Sequence, residues 1–329
     1  MTQVLIIKPS ALGDIVHALQ VATSLKEQVP DIEISWVARD ILTPFVRSCE
    51  AVDHVFVFKR HGGVFAFWRL TTELRKKKYD YVLDMQSLLR TGFMAFRSRA
   101  AKKIGRADAR EGSSLFYDEK VAPAPLGRRP HMLEKLLPFC VPLGAKPELR
   151  GILNFREDAS LNLSHLDGPN GLRPIVMFPD SRRPDKRWHG FKQLTEAILR
   201  DDRRRRVIWA GANYVPDKDA FQPSQFLNLT GNTSVVSLPA LVQRAACVIS
   251  NESGAMHLAA ALQVPVLAIL GRSDPEVLGP YPYRGATNHA IQAPLGDLRL
   301  LSVKDVFARF KKLQAGSGLS AVSPTPHRQ

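Results

Sequence analysis

The fold is decided by residues 4–17, which read VLIIKPSALGDIVH. Residues 4–8 begin with consecutive apolar side chains, a pattern typical of a β-strand that is buried on both faces. Ser10 and Gly13 then supply a small-residue turn, and apolar positions at helical spacing follow from residue 12 to residue 28. A strand that turns directly into a helix begins a βαβ unit, so this stretch predicts a parallel sheet.

The same alternation continues along the chain in two blocks. The first block predicts strands at residues 4–8, 33–37, 54–58 and 81–84, with helices at 12–28, 64–77 and 88–99. After turn-forming residues at 160–173, the second block predicts strands at 174–178, 207–210, 247–250 and 266–270, with helices at 188–199, 238–245 and 254–262. The predicted fold class is α/β, with two Rossmann-like, doubly wound domains at residues 1–165 and 166–314. We expect residues 315–329, rich in Ser, Pro and Gly, to be a disordered tail.

The composition is that of a globular protein, with 45% of its 329 residues hydrophobic and 23% charged. No stretch approaches the ~18–20 uninterrupted apolar residues that a membrane-spanning helix needs. The N-terminus lacks a basic segment before its apolar run, so we interpret it as a first strand and not as a signal peptide. The cysteines, Cys49, Cys140 and Cys247, share no metal-ligand spacing, and so small and odd a number is typical of the reducing cytoplasm.

Positive charge is concentrated in the first half of the chain. The formal net charge is +15, and between residues 58 and 129 there are 17 Lys and Arg against 7 Asp and Glu. Such a surface attracts polyanions, which include nucleic acid, an anionic membrane and a phosphorylated acceptor. A solvated face that only maintains solubility is the simpler alternative. Because the basic residues follow no recognised nucleic-acid-binding motif, we favour the membrane and the acceptor.

The turn after the first predicted strand carries the first candidate chemistry. It lacks the G-x-G-x-x-G pattern of a dinucleotide site; instead Lys8 ends the strand, Ser10 and Gly13 form the turn, and Asp14 lies in the first turn of the helix. Ligands of open α/β sheets bind at the carboxyl ends of strands, where Asp14 could take a proton from a substrate hydroxyl. Its alternative role is to complement the helix dipole. His17, one turn further on, could tune Asp14 or pack in the core.

A second candidate site lies at residues 250–262, which read SNESGAMHLAAAL. The strand runs into Glu252, the turn at Ser253 and Gly254 exposes backbone N–H groups, and an Ala-rich helix that contains His257 follows. Free N–H groups and the positive end of the dipole make a helix N-terminus suitable for phosphate. The alternative is an ordinary capping turn with a core histidine.

A third candidate site lies at residues 178–188, which read FPDSRRPDKRW. Four cations, among them Lys186, and the hydroxyl of Ser181 follow the first strand of the second half. Their position at the carboxyl end of a strand favours an anion site suited to a diphosphate. A solvated run of charges is the alternative.

Together these segments resemble the bacterial lipopolysaccharide heptosyltransferases. KPSALGDIVH at residues 8–17 is similar to the heptosyltransferase I version of the family's N-terminal motif, and SGAMHLAAA at 253–261 is similar to its C-terminal motif. Residues 84–86 look like the family's Asp-x-Gln segment, and residues 109–111 with 116–117 look like its acceptor-side stretch. The resemblance implies a glycosyltransferase B-type fold with the active site in a cleft between the domains. It also implies an inverting, metal-independent transfer of heptose from ADP-heptose to the Kdo region of the lipopolysaccharide inner core, on Kdo-lipid A, without a cofactor.

The resemblance also implies a role for each matching residue. Asp14 is the catalytic base, in a turn formed by Lys8, Ser10, Gly13 and His17. The donor-binding residues are Ser181, Lys186, Asp217, Glu252, Ser253, Gly254 and His257, and the acceptor-binding residues are Gln86, Arg110 and His131. Arg60 joins the acceptor-binding residues because it lies in the basic first half of the chain, whose arginines would meet the carboxylates and phosphates of an acidic glycolipid. Residues 217–219 repeat the Asp-x-Asp pattern that holds a metal in another glycosyltransferase fold, but their place in a loop after Pro216 favours a coincidence.

Two positions depart from the family pattern. Glu252, preceded by Asn251, stands where the family usually has Asp, and residues 181–183 replace a hydroxyl-rich run before Lys186. A family member with another nucleotide-sugar or acceptor is therefore the nearest alternative. A basic nucleic-acid-binding protein and a dinucleotide-dependent oxidoreductase are alternatives of other classes. A lipid-linked acceptor implies a cytoplasmic enzyme in peripheral contact with the anionic inner membrane of a Gram-negative bacterium.

Overall fold

The computed structural model describes residues 1–156, 163–168, 171–216, 221–283 and 285–316. The chain forms two compact units, Met1–Arg156 and Glu157–Gln329. The sequence pattern places the domain boundary at residue 165, whereas the division into units falls before Glu157. Each unit contains one of the two blocks of alternating strands and helices.

The N-terminal unit is built on a parallel six-stranded sheet. Its strands are β1 (Thr2–Ile7), β2 (Ile32–Arg39), β3 (His54–Phe58), β4 (Lys78–Asp84), β5 (Arg99–Arg106) and β6 (Glu119–Val121), and its α-helices are α1 (Leu12–Gln28), α2 (Thr43–Ser48), α3 (Gly63–Leu74) and α4 (Leu89–Arg97). The strands lie in the order β3-β2-β1-β4-β5-β6, and every neighbouring pair is parallel. The chain path reverses between β1 and β4, which leaves a crevice at the carboxyl ends of these two strands.

The C-terminal unit repeats this arrangement with its own six-stranded parallel sheet. Its strands are β7 (Ile175–Phe178), β8 (Val207–Gly211), β9 (Phe226–Thr230), β10 (Cys247–Asn251), β11 (Val266–Leu270) and β12 (Asn288–Gln292), and its α-helices are α5 (Phe191–Asp201), α6 (Leu238–Arg244), α7 (Gly254–Ala261), α8 (Pro275–Leu278) and α9 (Val303–Gly316). The order β12-β11-β10-β7-β8-β9 is the order of the first sheet when each is counted from its own first strand. Here the path reverses between β7 and β10. The predicted class of two doubly wound α/β units is confirmed.

The central strands form because their side chains are apolar on both faces. Residues 4–7 of β1, and every residue of β10 and β11, are buried. Two indoles are also buried, and each has its N–H paired: Trp36 donates to the carbonyl oxygen of Lys8 over 3.1 Å, and Trp209 donates to the hydroxyl of Thr195 over 3.0 Å. The cores therefore bury these two indole rings without leaving their N–H groups unsatisfied.

The sequence pattern is wrong at several element boundaries. It misses β5, β6, β9 and β12, and it extends the helix at residues 88–99 into β5. The helix ends earlier because Ser98 is extended and its hydroxyl donates to the carbonyl oxygen of Met94 over 2.8 Å. At the other end of the chain α9 includes Ala315 and Gly316, which were expected in the tail, and the rest of that tail lies outside the described residues. Within the described ranges, no helix is long and apolar enough to cross a membrane.

Candidate active site

The turn after β1 brings Lys8 and Asp14 together. Lys8 is only 2% exposed, and its Nζ lies 3.5 Å from Oδ2 of Asp14. The same carboxylate oxygen accepts from the N–H of Ala11 over a long 3.4 Å, while the Asp14 side chain reaches the surface with 36% of its area exposed. Burial lowers the pKa of the Lys8 ammonium, and the Asp14 carboxylate opposes that shift. The carboxylate of Asp14 is therefore accessible to solvent and lies beside the buried ammonium of Lys8.

His17 and His131 form the inner wall behind this turn. They are 2% and 1% exposed, and their rings meet edge to face with centroids 5.2 Å apart. His131 also accepts from the N–H of Leu133 through Nδ1 over 3.1 Å. His17 therefore packs in the core, which was one of its two expected roles. The expected contact of His131 with an acceptor stays a prediction.

Asp84, the last residue of β4, organises the loop across the crevice. It is fully buried, and its Oδ1 accepts from the N–H groups of Gln86 and Ser87 over 3.0 and 2.9 Å. The hydroxyl of Tyr117 donates to its Oδ2 over 2.7 Å. Burial raises the pKa of the Asp84 carboxyl, against these hydrogen bonds, which favour its charged form. The Asp-x-Gln segment thus contains a loop anchor, Asp84, beside Gln86, whose expected contact with an acceptor stays a prediction.

This loop places two of the predicted acceptor residues together. The carbonyl oxygen of Ser87 accepts from the N–H of Arg110 over 3.1 Å. Because Gln86 directly precedes Ser87, this hydrogen bond brings the backbone of Gln86 close to that of Arg110. Arg60 lies beyond the carboxyl end of β3, and both arginines are exposed. Cationic side chains therefore surround the carboxyl edge of this sheet.

In the C-terminal unit, Asn251 has the position that Asp84 has in the first unit. It is the last residue of β10 and is fully buried. Its Nδ2 donates to the carbonyl oxygen of Pro179 over 2.8 Å, and its Oδ1 accepts from the N–H of Trp188 over 3.1 Å. Both ends of the loop that carries Lys186 are thereby fastened to the sheet.

The ammonium of Lys186 donates to Oε1 of Glu252, and the hydroxyl of Ser273 donates to Oε2 of the same carboxylate. The side chain of Glu252 is 11% exposed and that of Lys186 is 24% exposed. This pair therefore spans the two loops at the point where the strand order reverses.

The pair forms part of the wall of a cavity of about 680 Å³. The wall is strongly charged, with the cations Arg183, Lys186, Arg187, Arg272 and Arg299 and the acids Asp185, Glu252 and Asp297. Arg183 pairs with Asp185 over 2.7 Å and Arg299 pairs with Asp297 over 2.6 Å. Arg272, by contrast, pairs with no carboxylate in the part of the chain that the structure describes. It is thus a cation of the wall that remains available to an anion.

The sequence analysis missed Arg272, Ser273, Asp297 and Arg299. They follow β11 and β12, so the rule that points to the loops after β7 and β10 could also have pointed to these loops. Gly296 makes the approach of the two loops possible. Its φ is +73°, and a Cβ atom there would lie 2.6 Å from Cγ of Arg272.

The other predicted donor residues lie outside this wall. Ser253 precedes α7 and its hydroxyl lies 2.9 Å from that of Ser250; Gly254 begins the helix, and His257 is partly buried within it. Ser181 is buried, and its carbonyl oxygen accepts from Nε of Arg187 over 2.7 Å. Asp217 lies outside the described residues. The wall thus contains Lys186 and Glu252 of the predicted set.

The sequence was compared with known families and curated proteins. Residues 67–297 match the family described as Glycosyltransferase family 9 (heptosyltransferase). The chain belongs to this family. Lipopolysaccharide core heptosyltransferase OpsX of Haemophilus influenzae is 24% identical over 291 residues, which cover 84% of this chain and 81% of the relative. Lipopolysaccharide heptosyltransferase 1 of Escherichia coli is 25% identical over 329 aligned residues, which cover 94% of this chain and 100% of the relative.

Solved structures agree with the fold of this family 9 chain. The E. coli heptosyltransferase WaaC with ADP has a TM-score of 0.77 at 23% identity and covers 95% of this chain and 100% of its own. The E. coli ADP-heptose lps heptosyltransferase II has a TM-score of 0.70 at 21% identity, with 97% and 99% covered. At these identities the likeness establishes the two-unit fold of glycosyltransferase B type. Family membership confirms the predicted enzyme class, a glycosyltransferase.

We expect Asn251→Asp to destabilise the C-terminal unit of this family 9 enzyme by at least about 2 kcal/mol at neutral pH. The substitution replaces the N–H donor to Pro179 by a buried carboxylate. Burial raises the folded-state pKa of such a carboxyl, so the folded state binds the proton more tightly. The loss in the free energy of unfolding should therefore grow as the pH rises above the pKa that the carboxyl has in the unfolded state, and it should shrink on acidification. Denaturant unfolding at several pH values measures it.

The matched control is Asn232→Asp, the same chemical change at an exposed turn position. This variant should unfold within about 0.5 kcal/mol of the parent, as surface substitutions usually do. If both variants lost the same stability, Asn251 would not be the fastening point of the loop.

Proposed function

We propose that this family 9 enzyme transfers heptose from ADP-heptose to the Kdo region of the lipopolysaccharide inner core, on Kdo-lipid A. Both relatives described above are named as lipopolysaccharide heptosyltransferases, and solved WaaC structures contain ADP or ADP-2-deoxy-2-fluoro heptose. The observation that carries the proposal is the charged cavity of the C-terminal unit, with Lys186 and Glu252 paired in its wall.

The donor is proposed to bind in this cavity. A volume of about 680 Å³ lies within the ~300–1,000 Å³ typical of small-ligand sites. Lys186 and Arg272 would bind the diphosphate, since Arg272 lacks an acid partner among the described residues and an ammonium can donate to more than one acceptor. Glu252, already held by Lys186 and Ser273, would accept from a hydroxyl of the ribose or the sugar. Ser181, Ser253, Gly254, His257 and Asp217 belong to the donor set through the sequence pattern and the resemblance.

The proposed chemistry is a single displacement with inversion. The acceptor hydroxyl oxygen forms a bond to the anomeric carbon of the donor as the bond from that carbon to the diphosphate oxygen breaks. Asp14 takes the hydroxyl proton, and ADP departs with the bonding electrons. Lys186 and Arg272 would stabilise its developing charge without a metal ion.

The acceptor is proposed to bind the N-terminal unit. Arg60 and Arg110 are exposed at the carboxyl edge of its sheet, and planar guanidinium groups suit the carboxylates and phosphates of an acidic glycolipid. Gln86 lies on the loop beside Arg110, and His131 belongs to this set through the resemblance. A lipid-linked acceptor places the enzyme in the cytoplasm, in peripheral contact with the anionic inner membrane and without nucleic acid as partner.

A second candidate function is the same transfer with another nucleotide-sugar. It is favoured by Glu252, which stands where the family usually has Asp, and by Arg182 and Arg183 in place of hydroxyl residues. Calorimetric titration with ADP-heptose, other ADP-sugars, GDP-sugars and UDP-sugars distinguishes the two. Tightest binding of a donor other than ADP-heptose would replace the first candidate by the second.

For Asp14→Asn we predict a kcat about 10²–10⁴-fold lower, with donor affinity within about twofold, because the amide cannot accept the proton. Asp31→Asn, an exposed position before β2, is the matched control and should keep the parent rate. Steady-state turnover with both substrates saturating gives the comparison. Parental kcat in Asp14→Asn would restrict Asp14 to complementing the dipole of α1.

For Lys186→Met we predict at least about tenfold weaker ADP binding, with adenosine binding changed much less, because the lost cation faces the diphosphate. Lys311→Met removes a cation of the same unit that pairs with Asp201 on the surface, and it should leave both affinities unchanged. Calorimetry with ADP and adenosine measures the two effects. An equal loss for both ligands would move Lys186 away from the diphosphate.

For Arg60→Ala combined with Arg110→Ala we predict a selective rise in the acceptor KM, together with a weaker dependence of that KM on ionic strength. Exposed charge pairs are screened once the Debye length falls to about 8–10 Å, so salt should raise the parental acceptor KM more than the donor KM. Arg47→Ala with Arg150→Ala makes the same charge change at other exposed positions. If both double variants behaved alike, Arg60 and Arg110 would be solvated surface residues.

A further inference from the structure

The N-terminal unit exposes a set of large apolar side chains on one face. They lie on α3, on α4 and on the short 3₁₀ helix Ser113–Phe116: Val64, Phe65, Trp68, Leu89, Phe96 and Leu115. Phe65 is 91% exposed and Leu115 is 86% exposed. We refer to these six residues and the partly buried Phe93 as the apolar face.

Ring contacts join the separate elements of the apolar face. Phe93 of α4 lies between them, with ring centroids 5.9 Å from Trp68 and 6.1 Å from Phe96. Phe116, next to Leu115, lies 6.3 Å from Phe93 and 5.7 Å from Phe96. Phe65 and Trp68 are three residues apart on α3 and so share one side of that helix. The rings of Trp68, Phe93, Phe96 and Phe116 therefore form one contiguous cluster, and the other exposed apolar side chains lie on the same three elements.

The apolar face does not stabilise the core of the unit. α3 and α4 already bury another side against the sheet, with Leu70, Leu74 and Met94 at most 4% exposed. Polar residues at Phe65 and Leu115 would leave that packing unchanged. Large contiguous apolar patches on a protein surface mark sites of interaction.

Cations surround the apolar face. The guanidinium of Arg97 lies 5.1 Å from the ring centroid of Trp68, and that of Arg90 lies 5.5 Å from the ring centroid of Phe58. Arg69 is exposed on α3. Arg75 and Lys76 directly follow this helix and, together with Arg99, line a surface pocket of about 420 Å³. Glu73 is the acidic residue within α3. An apolar centre with a cationic rim is complementary to an anionic lipid surface.

A second copy of the chain is a poorer occupant. Two copies that met through this face would bring their cationic rims together, and the chain as a whole carries a formal charge of +15. A symmetric interface places the same patch on both sides, so like charges would oppose one another, and Glu73 of α3 and Glu111, which accepts from the N–H of Leu89, would offset only part of them. Charge complementarity thus selects the lipid surface.

Part of the apolar face lies at the same edge of the sheet as the turn that holds Asp14. In a parallel sheet each helix begins near the carboxyl end of the strand before it, so the starts of α3 and α4 lie at the edge that also holds Asp14, Arg60 and Arg110. Phe65 and Leu89 are within the first turns of these helices. A bilayer that touched the apolar face would therefore meet the protein at the edge where the acceptor is proposed to bind.

We propose that the apolar face docks this enzyme on an anionic lipid bilayer, with Phe65, Trp68, Phe96 and Leu115 entering the interfacial region and Arg69, Lys76 and Arg97 binding headgroup phosphates. The proposal rests on the proposed function in taking the acceptor to be lipid-linked, and it deepens the membrane contact proposed there by assigning it to named residues. It assigns bilayer binding to residues distinct from those proposed for acceptor recognition.

The test is flotation of the full chain with vesicles of equal parts phosphatidylcholine and phosphatidylglycerol, and with phosphatidylcholine vesicles alone. Phe65→Ser with Leu115→Ser should lower the partition coefficient on anionic vesicles at least about tenfold, because two large apolar side chains no longer enter the interface. Arg69→Gln with Lys76→Gln should lower it on anionic vesicles and have little effect on neutral ones. High salt should reproduce the effect of the charge variant.

The matched control is Val141→Ser with Ile152→Ser, two apolar side chains of the same unit that are 54% and 58% exposed. Ile152 lies close to Arg150, whose N–H donates to Ser24 in the second half of α1, near the amino edge of the sheet. The control should bind vesicles as the parent does. Equal binding by Phe65→Ser/Leu115→Ser and this control would overturn the proposal. So would a loss of self-association in sedimentation, with vesicle binding unchanged, since the occupant would then be a second copy.

Two further measurements separate this proposal from the proposed function. Phe65→Ser/Leu115→Ser should retain ADP affinity and turnover of a lipid-free acceptor sugar, and lose turnover of an acceptor embedded in vesicles. If the parent bound anionic vesicles through this face but transferred no heptose, docking would stand and the proposed function would fall. If the parent transferred heptose but the double substitution left vesicle binding unchanged, the proposed function would stand and the docking proposal would fall.

Discussion

Each unit of this enzyme depends on one buried polar side chain at the end of its fourth strand. Asp84 and Asn251 are both fully buried at the point where the strand order reverses. There the backbone leaves the sheet and its N–H and C=O groups lose their ladder partners. Asp84 accepts from two backbone N–H groups of its own loop, whereas Asn251 joins its strand to both ends of the loop after β7. A buried loop with unsatisfied backbone groups would be unstable, so these side chains allow functional loops to lie against the sheet.

The difference between the two anchors follows from what each must bind. Asp84 meets only donors, namely two N–H groups and the Tyr117 hydroxyl, so a carboxylate is suitable despite the raised pKa that burial imposes. Asn251 meets one donor and one acceptor, and only an amide offers both at this length. In the second unit the negative charge resides instead on Glu252, one residue later, where it pairs with Lys186 in the cavity wall.

The sequence predicts the elements whose own residues show an apolar pattern. Residues 4–7 of β1, residues 247–249 of β10 and all of β11 are apolar, and α1 has helical spacing from end to end, so the sequence indicates their positions. β5 reads RAAKKIGR, and it is a strand because β4 and β6 pair with it on both sides. The start of α5 is displaced from residue 188 to Phe191 because residues 184–186 form a 3₁₀ turn and Gly190 precedes the helix. Tertiary pairing, which a single sequence does not encode locally, decided these elements.

The residues of the candidate site also divide into those that the sequence predicts and those that it does not. Lys8, Asp14, Lys186 and Glu252 follow strands that are easily recognised, and the rule for carboxyl ends of parallel strands places them correctly. Arg272 follows a recognised strand as well, but an isolated arginine in a loop carries no motif. It differs from its neighbours Arg183 and Arg299 only in the assembled wall, where both of these have acid partners. The availability of a cation is a property of the assembled wall and not of the sequence.

The carboxyl edge of the parallel sheet positions the proposed catalytic residues, and it also positions the first turns of the helices that follow the strands. In a parallel sheet the strand ends and the helix starts coincide, so the first turns of α3 and α4 lie at the edge of the sheet that also holds Asp14. An amphipathic helix in this position can bury one side against the sheet and present the other to a ligand-bearing surface. For a substrate held in a bilayer, this removes the need for a tether between the docking surface and the reacting groups, because both are fixed to the same sheet. On the two proposals above, the basic character of the first half would serve two anionic surfaces, the acceptor and the leaflet that carries it.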